Sequence, residues 1–418
     1  MKKDNVSKTV KNKLCLGCGV CEDICPKHCI TIQKGRLNVP HVDEESCVEC
    51  GLCLKACAGM GMALRGKAKE LFNEGDTKHN SYLGQYLHCY SGYSTNYDMR
   101  YHCASGGCLS QFLIWLIEKG EIDGAVVTKF KDDAPMVPQP IIARSREEIL
   151  SGKSSKYCVV SYEGIITEMK QKPGRYVVVG LPCHIQAFRK AAGVNRTVRE
   201  NVKGYFPIFC SSNKTMDSQR YMVYRYGIDE KRLASFAYRD EGCLGSTFFR
   251  DKEGNPIVKP IDFLDLYKGL KAFFSVPRCS VCPDFFGELG DIGFGDLNVG
   301  DETDDPIGIN SILTRSKKWE ELLLQCQQEG YLELNGINEK RMVEAQPYCL
   351  KKKGSGLYAN LKVRSVWGGV IPAYDNLEVI KPSASAYVKV AITAVMRFIG
   401  RHRWLWPIIR RLDRYKDS

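Results

Sequence analysis

Eight of the chain's 20 cysteines fall in two copies of one spacing: Cys15, Cys18, Cys21 and Cys25 followed by Pro26, then Cys47, Cys50, Cys53 and Cys57. Thiolates are soft ligands, and three of them at this spacing can wrap one face of an iron-sulfur cubane from a single tight loop. The fourth, three residues on, points away to the cubane of the other copy. One four-iron four-sulfur cluster is therefore assigned Cys15, Cys18, Cys21 and Cys57, and a second Cys47, Cys50, Cys53 and Cys25. Zinc explains the pattern poorly, because zinc sites use two cysteine pairs and not triplets with a fourth ligand exchanged between repeats. Two departures remove no ligand: Ala58 stands where the second copy would carry proline, and Cys29 is a ninth thiol four residues after Cys25.

This spacing is that of a bacterial two-cluster ferredoxin. Between the copies, Cys29-Ile-Thr-Ile-Gln and Arg36-Leu-Asn-Val-Pro flank Lys34-Gly35 and read as a short hairpin separating the two loops. A chain of 418 residues with 44% hydrophobic content is far larger than a lone ferredoxin, so a sizeable globular part follows and receives the electrons. We divide it into an α+β ferredoxin domain (1–65), a connector (66–84) in a charged helical stretch from Arg65 to Asn80, a second domain (85–350), and a linker with a basic tail (351–418).

The second domain alternates strand, turn and helix. Ser105-Gly106-Gly107 opens a serine-capped helix from Cys108 to Lys119 that Gly120 closes, and Ile122-Asp-Gly-Ala-Val-Val-Thr128 reads as a buried strand. Arg175-Tyr-Val-Val-Val-Gly180 is a second strand, followed by Leu181-Pro182-Cys183 and a helix from His184 to Ala192 closed by Gly193. This order predicts an α/β domain with a mostly parallel or mixed sheet. Beyond Gly204 the strands shorten. Asp291-Ile-Gly-Phe-Gly-Asp296 reads as a glycine-rich turn, Ser311 to Thr314 as a strand, Trp319 to Glu329 as a helix, and Lys351-Lys-Lys-Gly-Ser-Gly356 as the domain's exit.

Four more cysteines stand in ligand-like contexts: Cys183 in its Gly-Leu-Pro-Cys turn, Cys210 at a strand end, and the pair Cys279-Ser-Val-Cys282. Each alone reads as a small buried hydrophobe. The pair supplies two ligands of a cluster and needs two partners, which strand-end cysteines provide, so a third cubane is the economical reading.

These segments, in order, resemble a known family. Ala104-Ser-Gly-Gly107, Ile122 to Val127, Ser155-Lys-Tyr157, Gly180-Leu-Pro-Cys-His184, Phe209-Cys210, Tyr238-Arg-Asp240, Cys279-x-x-Cys282-Pro-Asp284 and Asp291 to Asp296 are similar to the coenzyme F420 hydrogenase/dehydrogenase beta subunit family. The resemblance spans roughly residues 85 to 345. It implies an iron-sulfur flavoprotein holding FAD, with Cys183, Cys210, Cys279 and Cys282 as ligands of a third cluster beside it. It also implies an FAD site that includes Ser105, Gly106 and Gly107, together with Ser155, Lys156 and Tyr157. Physics agrees: two glycines before a helix let backbone approach a pyrophosphate, and Lys156 would stabilise a reduced anionic flavin. Cys103 and Cys108 flank the glycine turn where relatives carry small or aliphatic residues, which leaves a redox or ligand role open. We read Cys89, Cys158, Cys243, Cys326 and Cys349 as packing residues and His184 as a structural histidine. No acid/base pair announces itself, as expected where a flavin performs the hydride chemistry.

The function implied is an oxidoreductase that passes electrons between 4Fe-4S clusters and FAD and on to a two-electron partner such as coenzyme F420. A reductase of another substrate, such as a polysaccharide precursor, and a non-catalytic electron-transfer subunit are the alternatives. A redox partner protein, a ferredoxin or a hydrogenase/dehydrogenase subunit, is expected.

The formal charge is +12, lowered to about +6 to +8 when each cubane with four thiolates adds about two negative charges. Eight Lys or Arg lie between Ala384 and Ser418 against Asp413 and Asp417, so half the formal excess sits in the last 35 residues. There Val388, Ile392, Val395, Met396 and Ile399 recur at helical spacing among Lys389, Arg397 and Arg401, and Trp404, Trp406, Ile408, Ile409 and Leu412 follow around Pro407. Such a basic amphipathic tail predicts either contact with the inner face of the cell membrane or docking on protein. It does not call for nucleic acid, since no reader motif is present. Many free thiols and no apolar leader-like run predict a cytoplasmic protein.

Overall fold

The computed structural model describes residues 4–73, 75–270, 272–297, 305–378 and 380–414. Lys416 and Asp417 of the tail lie outside them. The architecture is mixed α/β with small sheets around an N-terminal ferredoxin unit.

In the ferredoxin unit the two cysteine loops have the same backbone. Positive φ occurs at Gly17 (72°) and Gly19 (71°) in the first copy and at Glu49 (54°) and Gly51 (72°) in the second, the left-handed turns needed to fold three thiols toward one point. Each loop runs into a five-residue helix, Val20–Ile24 and Leu52–Ala56, whose C-cap is the fourth cysteine in extended conformation. The hairpin forms from strands Ile30–Gln33 and Val39–Val42, paired Ile30↔Val42.

Two four-stranded sheets carry the second part. One is mixed: Gly124–Phe130, Tyr176–Gly180 and Val202–Pro207 run parallel, and Pro138–Ala143 closes the edge antiparallel. The other, from Cys89–Ser94, Ile292–Asp296, Asn310–Thr314 and Leu332–Ile337, is wholly antiparallel. The parallel arrangement thus covers three strands, which helices such as Pro182–Val194 connect by crossing over.

Several local readings are corrected. The connector is helical only over Leu64–Leu71; Lys78–Asn80 is a strand paired with Gly84–Tyr86. Asp291 to Asp296 is no turn but the strand Ile292–Asp296: a Cβ on Gly293 or Gly295 would stand 2.7 or 2.2 Å from the Phe209 ring, so the glycines let that ring lie flat on the sheet. The helix Cys108–Glu118 is capped by Gly107 with φ 76° and not by a serine; Ser105 instead donates to Ile309 O at 2.8 Å.

The ferredoxin unit shares a core with the mixed sheet. Leu16, Val20, Ile24, Ala56 and Ala58 pack in one buried cluster with Val126, Val178, Ile185, Phe188 and Tyr205. Fully burying each large apolar side chain contributes about 1.5–3 kcal/mol, so this seam outweighs the exposed ion pair Lys34–Glu163, of a class worth at most about 1 kcal/mol. Polar contacts fix its register: Tyr162 N donates to Cys18 O at 2.8 Å, and Asp23 accepts from Gly164 N, Ile166 N and Thr167 Oγ1 at 2.9–3.1 Å.

Gly106 packs against the antiparallel sheet, where an added Cβ would stand 2.7 Å from Gly92 O and 2.9 Å from Asn310 N. Both are backbone atoms in paired strands and cannot yield alone. Gly106→Ala is expected to cost about 1–3 kcal/mol, read as a lower midpoint in anaerobic chemical denaturation; an unchanged midpoint would show that the strands part freely there.

Candidate functional site

The exchange of fourth cysteines follows from the extended C-caps. Cys57 leaves its own loop and lines one cavity with Cys15, Cys18 and Cys21, while Cys25 lines the other with Cys47, Cys50 and Cys53. Cys29 lines that second cavity too, its sulfur 3.3 Å from Cys25 Sγ. Backbone donors already aim at the sulfurs: Gly17 N at Cys15 Sγ and Gly59 N at Cys57 Sγ, both 3.4 Å. Such N–H···S contacts tune cluster potentials. Burial, with a push from Cys57, raises the Cys15 and Cys18 thiols to about 12, so metal binding is what would make them thiolates. Cys50 is exposed and marks the solvent edge.

Cys183, Cys210 and the pair Cys279 and Cys282 converge from three segments of the chain. Cys183 sits in the first turn of Pro182–Val194, where Pro182 fixes the start. Cys210 follows the strand Val202–Pro207 and is held by its N–H to Phe285 O at 3.0 Å. Cys279 lies in the 3₁₀ turn Pro277–Val281, which Cys282 caps, and Cys279 Sγ accepts from Asn213 N at 3.4 Å. Burial first, then Cys282, Cys210, Cys279 and Cys18, lifts the Cys183 thiol well above the ordinary range. Cys18 and Cys183 pack against one buried cluster, which sets this group beside the first ferredoxin cavity. Among the described residues no three His, Cys, Asp or Glu side chains converge closely enough to hold a single metal ion.

Buried cations surround these four sulfurs. Lys352, 8% exposed, ends the helix Pro347–Lys352, and the charged groups acting on it are Cys282, Cys279, Cys210 and Cys183; burial lowers its pKa, but the four sulfurs outweigh that and raise it. Arg278, 1% exposed, donates to Gly59 O (2.7 Å), Val281 O (3.1 Å) and Tyr374 Oη, all neutral. Lys214 lies beside Cys279 and Cys210, its pKa lowered by burial to about 8. Among the described residues Arg278 and Lys352 have no carboxylate partner; buried positive charge of this kind is costly, and a negatively charged group bound by four thiolates removes that cost. The residues fit an iron-sulfur cluster. Sequence reasoning placed Lys352 in an exit linker; its only signal was a Lys-Lys-Lys run, which patterning reads as solvated.

A relay of rings leads from this set to the Ser155-Lys156-Tyr157 segment. Lys214 stands 5.0 Å over the Tyr267 ring, Tyr267 meets Tyr157 edge-on at 5.7 Å, and Tyr157 stacks on Phe263 at 5.1 Å. Lys156 is no solvated lysine: its Nζ donates to Gly152 O, Lys153 O and Ser154 O at 2.6–3.1 Å, and burial lowers its pKa to about 7. Arg239, 1% exposed, donates from Nη1 to Asp296 Oδ2 (2.8 Å) and Tyr157 Oη (3.3 Å), so three separate sequence segments meet. Cys243 accepts from Arg239 Nη2 at 3.8 Å and is half-buried, more than the packing residue the sequence indicated. The Ser105-Gly106-Gly107 turn borders the same region through Gly308, where a Cβ would approach both Cys243 Sγ (3.0 Å) and Ser105 C (3.2 Å). Yet the space over Gly106 is filled by Gly92 and Asn310, and Asn310 Oδ1 accepts the Cys108 N–H at 3.0 Å. Packing therefore accounts for that glycine without a phosphate. Neither Arg239 nor Asp296 had been given a role from sequence.

The remaining cysteines in question are buried: Cys103 at 5% and Cys108 at 0%, both in the core shared by the two four-stranded sheets. His184 is 2% exposed, accepts the Leu181 N–H at Nδ1 (3.2 Å) and is driven by burial to a pKa of about 4, a neutral structural imidazole.

Comparison with known proteins places these features. The family description "Coenzyme F420 hydrogenase/dehydrogenase, beta subunit" matches through its N-terminal part at residues 89–167 and its C-terminal part at residues 174–340, and a 4Fe-4S dicluster domain matches residues 14–59. The coenzyme F420 hydrogenase subunit beta of Methanosarcina barkeri is 28% identical over 263 residues, 62% of this chain and 84% of that protein. The coenzyme F420-dependent sulfite reductase of Methanocaldococcus jannaschii is 21% identical over 397 residues, 91% of this chain; the match spans only 57% of that longer protein. In fold, the chain matches one from the F420-reducing [NiFe] hydrogenase complex of Methanosarcina barkeri with a TM-score of 0.53 and 22% identity, over 72% of this chain and 99% of that one.

Proposed function

Because the chain belongs to the coenzyme F420 hydrogenase/dehydrogenase beta subunit family, we propose that this iron-sulfur oxidoreductase joins a one-electron partner to a two-electron substrate through three cysteine sets and a flavin site. When bound, 4Fe-4S clusters handle single electrons and FAD couples them to a two-electron exchange. Cys47, Cys50, Cys53 and Cys25 hold the outer cluster, and exposed Cys50 faces the partner. Cys15, Cys18, Cys21 and Cys57 hold the next. Cys183, Cys210, Cys279 and Cys282 hold the third, and the observation carrying the reading is the pair of buried cations Lys352 and Arg278 beside that last set.

FAD belongs beside Ser155, Lys156 and Tyr157, with Arg239 and the Ser105-Gly106-Gly107 turn at its border. Lys156 and Arg239 supply the positive charge that a reduced, anionic flavin favours, and the aromatic contacts of Tyr157 exclude water around it. Coenzyme F420 is the substrate of first choice, since the relatives' names carry it. The redox partner is a ferredoxin or a companion subunit, as relatives are themselves named subunits.

Anaerobic purification with iron, acid-labile sulfide and flavin quantified per chain tests the reading. About twelve irons, four for each of three clusters, and one FAD are expected. About eight irons and no flavin would instead make the chain a simple electron-transfer subunit.

A further inference from the structure

The helices Ala384–Arg401 and Trp406–Arg414 are apolar on two sides, and among the described residues one side packs on the protein while the other is exposed. On the inner side Met396 and Ile399 pack against Tyr221, Phe274, Trp406 and Ile409; Trp406 is 3% exposed and Ile409 0%. Arg397 Nε donates to Ser275 Oγ at 3.0 Å, which anchors the tail to the body, and Trp406 Nε1 donates to Gly400 O at 3.0 Å, which ties the two helices together.

On the outer side Val388, Ile392, Val395 and Phe398 are 53–59% exposed, at spacings of four, three and three that make one stripe along the helix. Trp404, Ile408 and Leu412 continue it at 72%, 42% and 54%. Between residues 379 and 412 there is no Asp or Glu, while Lys389, Arg401, Arg403, Arg410 and Arg411 are all exposed. Among the described residues no helix is long and apolar enough to cross a membrane.

We infer that this face is a peripheral docking surface for an anionic lipid bilayer. An apolar stripe with a tryptophan at the helix junction suits the boundary between headgroups and acyl chains. Five exposed cations without one acid among them match the negative headgroups, each cation strengthening attachment to such a surface. A protein partner for so cationic a rim would have to be acidic as well as apolar; a bilayer of anionic lipid offers both at once. The docking rests on none of the cysteine or flavin assignments.

The test is co-sedimentation of the anaerobically purified full chain with vesicles of phosphatidylcholine alone and of phosphatidylcholine mixed with phosphatidylglycerol. Binding to the mixed vesicles is expected, weakened by added salt and absent with the neutral ones. The exposed triple variant Val388→Ser, Ile392→Ser, Val395→Ser should keep its iron content and lose at least about tenfold in vesicle affinity; Arg410→Gln with Arg411→Gln should lose binding while keeping self-association unchanged. Equal binding to neutral vesicles, or none to either, overturns the proposal. So does a wild-type dimer in sedimentation velocity that the triple variant converts to monomer, since a second copy would then cover the stripe.

Discussion

Cys279→Ala is expected to lower iron from about twelve to about eight atoms per chain and to slow reduction of a two-electron acceptor by at least about a hundredfold. Cys279 sits in a short 3₁₀ turn, half-buried, and its sulfur accepts one backbone N–H from Asn213. Alanine fits that turn without strain, so the loss should be of metal and not of fold. The other two cavities have no contribution from Cys279, and eight irons should remain with them. Cys349→Ala is the control: that cysteine is 1% exposed, packs with Leu83, Phe285 and Met342 and belongs to none of the three sets, so its loss should lower stability and leave iron unchanged. Twelve irons in the Cys279 variant would remove it from the ligand set. Flavin content measured beside iron separates the roles, since Tyr157 and Lys156 lie beyond the Tyr267 ring and should still bind FAD in the iron-depleted protein.

Lys352→Met is expected to have opposite effects on the loaded and the metal-free chain. Reduction adds negative charge to a site where Lys352 is a buried cation. Removing it should lower the midpoint potential of the third cluster by on the order of 100 mV, the equivalent of about 2.3 kcal/mol for one charge. In the metal-free chain burial raises the Cys210 thiol to about 12 and the Cys183 thiol well above the ordinary range, and among the described residues no Asp or Glu pairs with the ammonium. Replacing a buried, uncompensated charge by an isosteric apolar side chain should then stabilise the fold by about 1–3 kcal/mol. Redox titration followed by electron paramagnetic resonance measures the first effect, and denaturation of chelator-treated protein the second. Lys352→Arg should restore the potential. An unshifted potential with a more stable metal-free chain would reduce Lys352 to a packing element.

The ferredoxin half was legible because its chemistry is local. Three cysteines within seven residues share one loop whatever surrounds them, and an extended C-cap sends the fourth across to the other copy. The strands around Val126 and Val178 and the helix after Pro182 were legible for the same reason: their signals are apolar runs and caps read over neighbouring residues. Glycine was the weakest guide. Gly293 and Gly295 looked like a turn and lie in a strand, because what they make room for is Phe209, more than 80 positions away. Gly106 reads as part of a phosphate cradle, and its lack of a side chain is also required by Gly92 and Asn310, which fill the space where a Cβ would stand.

From its sequence alone, then, the chain declares which side chains could bind iron and sulfur and that a large α/β body accompanies them. Only tertiary structure decides how charge is compensated around those side chains. Lys352 comes to the four cysteines from a run that reads as solvated linker, Arg239 meets Asp296 across 57 positions, and the ferredoxin core closes on Phe188 of the helix Pro182–Val194 and Tyr205 of the mixed sheet. The physical reason is range. Ligand loops, caps and periodicities act over a few residues of backbone, whereas burial and the pairing of buried charge depend on which distant segments share one low-dielectric interior.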